Sequence, residues 1–147
     1  MNAEQIFSLF NALVLLPWAL MIFAPYWRYT RWLATSYLVP LALALVYVLI
    51  IFSNLGAMAQ ADFSTLKGIQ ALFVGAGQAP FLAMAAWFHY LAFDLMVGVW
   101  LYEDAQKTKM SHFALIPCLF LTFMLGPTGF LLYTLLKWGL QRKHFAQ

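Results

Sequence analysis

Charge is what this sequence has least of. Among 147 residues there are eight Lys and Arg and five Asp and Glu, 9% of the chain, where a soluble domain carries about a quarter. With 65% hydrophobic residues and a mean hydropathy of +0.81, that scarcity excludes an ordinary soluble domain. It points to an integral membrane protein of one small domain, residues 1–147. Cysteine is nearly absent too. Cys118 stands alone, which excludes an intrachain disulfide and any CxxC redox or zinc pair, and its apolar setting reads as an inert packed thiol. The basic residues lack the clustering that tracks phosphates, so nucleic acid is not an expected partner. Met-Asn-Ala-Glu-Gln lacks the basic start of a secretory signal, Pro25 follows Ala24 where cleavage would be expected, and no Arg- and Ser-rich transit peptide is present. The first apolar segment is therefore expected to persist in the working protein, in a bacterial inner membrane or a thylakoid-type membrane.

What is present is a set of four apolar segments, at about residues 6–23, 32–52, 81–101 and 113–136, each close to the roughly 20 residues that cross a bilayer. The expected architecture is all-α, an integral membrane four-helix bundle with both termini on one side. A short interfacial helix is expected between the second and third spans at Thr65–Val74, where Leu66, Ile69, Leu72 and Phe73 share a face. Gln60, Asp62, Ser64, Lys67 and Gln70 make that connection polar. Pro17 should kink the first span, and Pro40 lies inside the second. Gly75-Ala76-Gly77 reads as a flexible break, Pro80 as the first turn of the third helix, and Ser111 as the N-cap of the fourth. Pro25–Trp32 and the stretch holding Lys137, Trp138, Arg142 and Lys143 mix basic and aromatic residues as headgroup-level belts do. Four straight spans put Arg28, Arg31, Lys107 and Lys109 on one face and Lys67, Lys137, Arg142 and Lys143 on the other. Four against four gives no orientation under the positive-inside rule.

The third segment stands apart because it carries His89 and Asp94 near its middle, where ionisable groups mark a functional site or a buried pairing. At about 1.5 Å per residue, Asp94 lies about 10 Å and His89 about 18 Å inward from Leu101. The two point about 140° apart around the axis, so they form no dyad within one straight helix. The same arithmetic sets Asp94 level with Cys118 and Thr122, and His89 level with Asn11 and the Gly126–Gly129 break. Structural readings stand beside these. Asp94 would be a neutral acid bonded to Tyr90 or to another helix, and His89 a packing residue. Gly98, Gly126 and Gly129 would simply allow close helix approach. The tryptophans read mainly as interface anchors, with Trp87 and Trp100 able to line an apolar ligand slot. His89 and His112 lie too far apart in depth to share a metal. Glu103, Asp104 and His112 share one interface without tight ligand spacing, and read as solvated turn residues before metal ligands.

The order of these features resembles the plant neoxanthin-synthase family, small membrane proteins of the abscisic-acid-deficient-four type. The likeness runs through Leu16-Pro17, Ala24-Pro25, Trp87-x-His89-x-x-x-x-Asp94-Leu95, Asp104, Ser111-His112 and Gly126-Pro127-x-Gly129, and spans nearly the whole chain. It implies carotenoid work, in which the epoxide of violaxanthin rearranges to the allene of neoxanthin, a net isomerisation without a redox cofactor. Such chemistry needs an acid for the opening epoxide oxygen and a base for a carbon-bound proton. Asp94, kept protonated by low-dielectric surroundings, is the candidate acid. His89 is the candidate base, with Tyr90 or Tyr47 positioning the oxygen. Trp87, Tyr90, Trp100, Asn11, Thr122, Gly126 and Gly129 are the candidate substrate-binding residues. Expected partners are the lipid bilayer and an apolar ligand such as a carotenoid, with a homo-oligomer or a larger membrane complex as further possibilities. The alternative is a non-catalytic pigment- or lipid-binding subunit of such a complex. A transporter is third, since no inverted repeat is present.

Overall fold

The structure, a computed structural model, describes residues 2–59 and 61–145, the side chains of residues 57 and 141–145 excepted. Gln60 and the side chains of Arg142 and Lys143 thus lie outside the described residues. All regular structure among the described residues is helical: α1 Ala3–Phe23, α2 Arg28–Ser36, α3 Leu38–Ser53, α4 Leu55–Met58, α5 Leu66–Gln78, α6 Pro80–Lys107, α7 His112–Leu125 and α8 Pro127–Phe145.

α1 opens on a reciprocal cap. Gln5 N–H donates to Asn2 Oδ1 at 2.9 Å and Asn2 N–H to Gln5 Oε1 at 3.1 Å, which satisfies two of the first-turn donors. The expected second span is instead two helices. In a continuous helix the Pro40 ring would collide with the Ser36 carbonyl; the chain ends α2 at Ser36, passes through Tyr37 at φ 53°, and restarts as α3. α5 starts one residue after its expected bound and runs straight through Gly75-Ala76-Gly77, so that stretch is helical and not a break. Its start is a tight turn. Asp62 accepts from Ser64 N–H, Ser64 Oγ and Thr65 Oγ1, and Thr65 Oγ1 caps Gly68 N–H. Those donors, Ser64's hydroxyl foremost, hold the Asp62 carboxyl at about 2 against the usual 3.8. Gly68 is required there because a Cβ would strike Asp62. Pro80 opens α6 as expected. Ser111 does sit at the N-cap of α7, without a side-chain capping bond.

The largest departure from expectation is the fourth span. Gly126, at φ +45°, separates α7 from α8, and α8 doubles back along α7. Gly129 lies so close to Thr122 and Cys118 that no Cβ would fit. The segment is therefore a helical hairpin with its tip at Gly126, because Pro127 cannot continue α7 while its fixed φ suits the first turn of a new helix. Three helical stretches are long and apolar enough to cross a membrane: Ala3–Phe23, Arg28–Ser53 and Pro80–Lys107; His112–Leu125 is shorter. At about 1.5 Å per residue α7 reaches only about 21 Å, less than the roughly 30 Å of hydrocarbon.

Packing divides the chain into two compact units. The first joins the residues up to Leu13 with Val39–Ala92. Its core centres on Phe88, fully buried, whose ring meets Phe10 at 5.5 Å and Phe7 at 6.5 Å. The second joins Val14–Leu38 with the residues from Phe93 onward. There Trp18 lies against Gly98, where a Cβ would collide with the indole, and meets Phe123 at 5.5 Å between ring centroids. Two polar ties fasten the end of α1 in the second unit: Tyr102 Oη donates to Pro25 O at 2.5 Å, and His112 Nε2 lies 2.9 Å from Ile22 O. A carbonyl only accepts, so Nε2 carries the proton of that imidazole.

Candidate functional site

Asp94 lies on α6 in the second unit, half-buried. Its neighbour is the hairpin tip: a Cβ built on Gly126 would stand 2.7 Å from Asp94 Oδ1. The carboxyl thus meets bare backbone at the one point where the α7–α8 segment reverses. Gly126 also immediately precedes α8, so Asp94 sits at the positive end of that helix's dipole. Asp94 lies eight residues before Tyr102, about 12 Å deeper along α6. The sequence reading paired Asp94 with Cys118 and Thr122 and gave the glycine break to His89; the hairpin gives Gly126 to Asp94. The depths differ from expectation because α6 runs on past Leu101 to Lys107: counted from the facing helix ends, Asp94 lies about 20 Å from Lys107 and Gly126 about 21 Å from His112.

Thr122 and Cys118 line the inner side of the hairpin. Thr122 Oγ1 donates to Cys118 O at 2.8 Å, and both residues are fully buried. Gly129 closes on them from α8. These three act as the tight seam that makes the reversal possible, and Thr122's hydroxyl proton is already committed within its own helix. Trp100, nearly half-exposed on α6, packs on the returning helix, with Phe130 at 5.7 Å and Tyr133 at 5.9 Å.

Further along α6, Asp104 anchors α8. Tyr133 Oη and Lys137 Nζ both donate to Asp104 Oδ2 at 2.6 Å. Tyr133 and Lys137 are one helical turn apart, so both reach the same carboxylate. Neither was singled out as a site residue, although their i, i+4 spacing was legible. The three weighed metal ligands go separate ways: Asp104 to α8, Glu103 toward Lys107 at 3.9 Å, and His112 to Ile22. No group of three His, Cys, Asp or Glu among the described residues is placed to hold an ion.

In the first unit, Trp87 Nε1 donates to Asn11 Oδ1 at 3.0 Å, and the indole stacks on Tyr90 at 5.6 Å and 28°. Asn11, Trp87 and Tyr90 are therefore together, as three expected substrate-binding residues. His89 is exposed on α6, with its ring 5.4 Å from that of Tyr47 on α3. An apolar groove of about 500 Å³ lies in the same unit, lined by residues including Phe10, Val46, Ile50 and Met84.

A family model described as ABA4-like, ABA DEFICIENT 4-like, matches residues 5–133, a range that takes in Asn11, all of α6, the hairpin tip and Tyr133. No curated protein and no solved structure matches the chain.

Proposed function

The chain belongs to the ABA DEFICIENT 4-like family, and from that premise we propose that it is a membrane-embedded isomerase of carotenoid or other isoprenoid metabolism. α1, the α2–α3 pair and α6 would span the bilayer of a bacterial inner or thylakoid-type membrane, and the α7–α8 hairpin would enter it and return. The substrate class is an epoxide-bearing xanthophyll, which arrives sideways from the lipid. Asp94 gives its proton to the epoxide oxygen as the ring C–O bond breaks, and a base takes a proton from the adjacent carbon as the allene forms. No electrons leave or enter, so substrate and product are isomers.

The observation that carries this reading is the carboxyl of Asp94 against the bare backbone of Gly126. A side chain at Gly126 would cover the carboxyl, and the anion left after proton transfer sits at the positive end of α8. Irregular backbone at such depth is tolerated only where protein covers it or a cavity meets it. His89 beside Tyr47 remains the base of this proposal on its own test, given below. Production of the full chain in a host that makes epoxy-xanthophylls, followed by pigment analysis, tests the function. New allenic pigment supports it; unchanged pigment across several epoxides contradicts it. The groove of about 500 Å³ in the first unit favours the second reading, a pigment- or lipid-holding subunit, which predicts co-purified pigment without conversion.

A further inference from the structure

A cleft of about 700 Å³ opens in the second unit between the α1–α2 turn and the last turns of α6. Unlike the groove of the first unit, it is lined by charged and polar side chains beside its apolar surface: Arg28, Arg31, Tyr102, Glu103, Gln106 and Lys107 all line it. Three cations face one acid. Lys107 reaches toward Glu103 at 3.9 Å, which leaves the two arginines as uncompensated charge. Arg28 is held in place by its neighbour, with Nη2 donating to Tyr29 Oη at 3.1 Å and the guanidinium 4.7 Å from the ring centroid. Arg31 has no ion-pair partner among the described residues. Both stand on α2, whose first turn has no side-chain cap, so its open N–H groups add to the same positive field. The Tyr102–Pro25 bond fixes the turn that forms the opposite wall. Exposed Tyr26 and Trp27 frame the mouth, as aromatic rings do at headgroup level.

We propose that this cleft binds an anionic phosphate group at the membrane surface, with Arg28 and Arg31 as the donors that grip its oxygens. Guanidinium forks match phosphate oxygens two at a time, and basic pockets beside membrane helices take anionic headgroups. The shared chemistry is a phosphate ester, carried either by a lipid headgroup or by a free phosphate compound. The site rests on the membrane reading but on no step assigned to Asp94.

The test reconstitutes the full chain in phosphatidylcholine bilayers containing trace spin-labelled phosphatidylglycerol or spin-labelled phosphatidylcholine, and compares the fraction of each held by the protein. Preference for phosphatidylglycerol is expected, and at about fivefold per basic contact the Arg28→Gln/Arg31→Gln variant loses roughly an order of magnitude of it. Lys67→Gln, outside the cleft, and Asp94→Asn both keep it, which separates this site from the proposed chemistry. Inorganic phosphate is added at matched ionic strength. If it displaces the lipid, the site takes free phosphate; if it does not, the headgroup is the ligand. Retained helical content in the double variant, read by circular dichroism, rules out loss through unfolding, and Arg28→Lys/Arg31→Lys restores part of the preference. Equal retention of the two lipids, or an unchanged preference in the double variant, overturns the proposal.

Discussion

Asp94 and Gly126 face each other across the seam between α6 and the hairpin tip, with 2.7 Å between Asp94 Oδ1 and the place a Gly126 Cβ would occupy. Two demands meet at Gly126. The positive φ costs an L-residue about 1–2 kcal/mol, and a methyl group there presses on the carboxyl. Gly126→Ala is expected to destabilise the protein by about 1–3 kcal/mol and to depress pigment conversion further than that loss explains. Gly77→Ala is the control. Gly77 lies in α5 with open space around it, so alanine there should stabilise by up to about 1 kcal/mol. Thermal unfolding in detergent reads both.

The hairpin also changes the charge map. Lys137 had been placed across the membrane from Arg28, but its bond to Asp104 brings it to the end of the second unit that holds the Tyr102–Pro25 contact. Arg28, Arg31, Lys107, Lys109 and Lys137 therefore gather at one end, which the positive-inside rule predicts to face the cytoplasm or its organellar equivalent. In a Cys118→Ala background, Lys109→Cys and Trp138→Cys should both resist an impermeant maleimide added outside intact cells and react after permeabilisation. Labelling from opposite sides would mean that α7 and α8 cross the membrane as one helix.

Asp104 should matter to the hairpin through both of its partners. Tyr133→Phe removes a hydrogen bond to a carboxylate, worth about 1.5–3 kcal/mol. Lys137→Met leaves the acid without its cation, at about 1–2 kcal/mol after allowance for partial exposure. The residues share one carboxylate, so the double variant should fall short of the sum of the two losses. Unfolding of the two singles and the double measures this; strict additivity would contradict the shared network.

Much of this fold was legible in the sequence, and the largest failure has one physical source. Hydropathy marks where a chain prefers lipid, and α7 and α8 are both apolar, so the tip between them carries no charge to betray a reversal. Gly126-Pro127 was visible, but a kink and a hairpin have the same residues; the difference is the positive φ at Gly126 and the contact of Gly129 with Thr122, neither encoded in hydropathy. Once the rod was assumed straight, Lys137 was carried to the far face; Gly126 was matched to His89's depth because the third span was ended at Leu101, where α6 runs on to Lys107. Tyr37 shows the same limit at a smaller scale, since Pro40 signals a disturbance without saying that the helix will stop at Ser36. Local chemistry survived better. The short helix expected from Thr65, found as α5 from Leu66, and Pro80 as the start of α6 follow from a shared apolar face and a φ preference, which are local to their own segments.

The α5 turn gives a pH signature away from the membrane helices. The folded Asp62 value of about 2 lies below its unfolded 3.8, so the turn's contribution is fully present above the unfolded value and is lost as pH falls through about 2. Amide exchange at the start of α5 should therefore accelerate only in strong acid. Asp62→Asn should abolish that dependence, since a neutral amide has no proton to gain. Acceleration beginning well above pH 3.8 would mean that the carboxylate is not what holds the turn.

His89 needs its own variant because it belongs to the first unit, where its ring meets that of Tyr47. If it removes the carbon-bound proton, His89→Ala should lower conversion by about a hundredfold or more while leaving stability nearly unchanged, as befits an exposed side chain. Tyr47→Phe should have a smaller effect. Full conversion by His89→Ala would move the base elsewhere.

The most direct test is the Asp94→Asn protein, purified with its unaltered counterpart, reconstituted in bilayers and supplied with an epoxy-xanthophyll. Asparagine keeps the shape beside Gly126 but has no proton to give, so the rate of allene formation should fall by about a hundredfold to ten-thousandfold with the substrate still bound and the helical content unchanged. Conversion at the unaltered rate by Asp94→Asn would contradict the account.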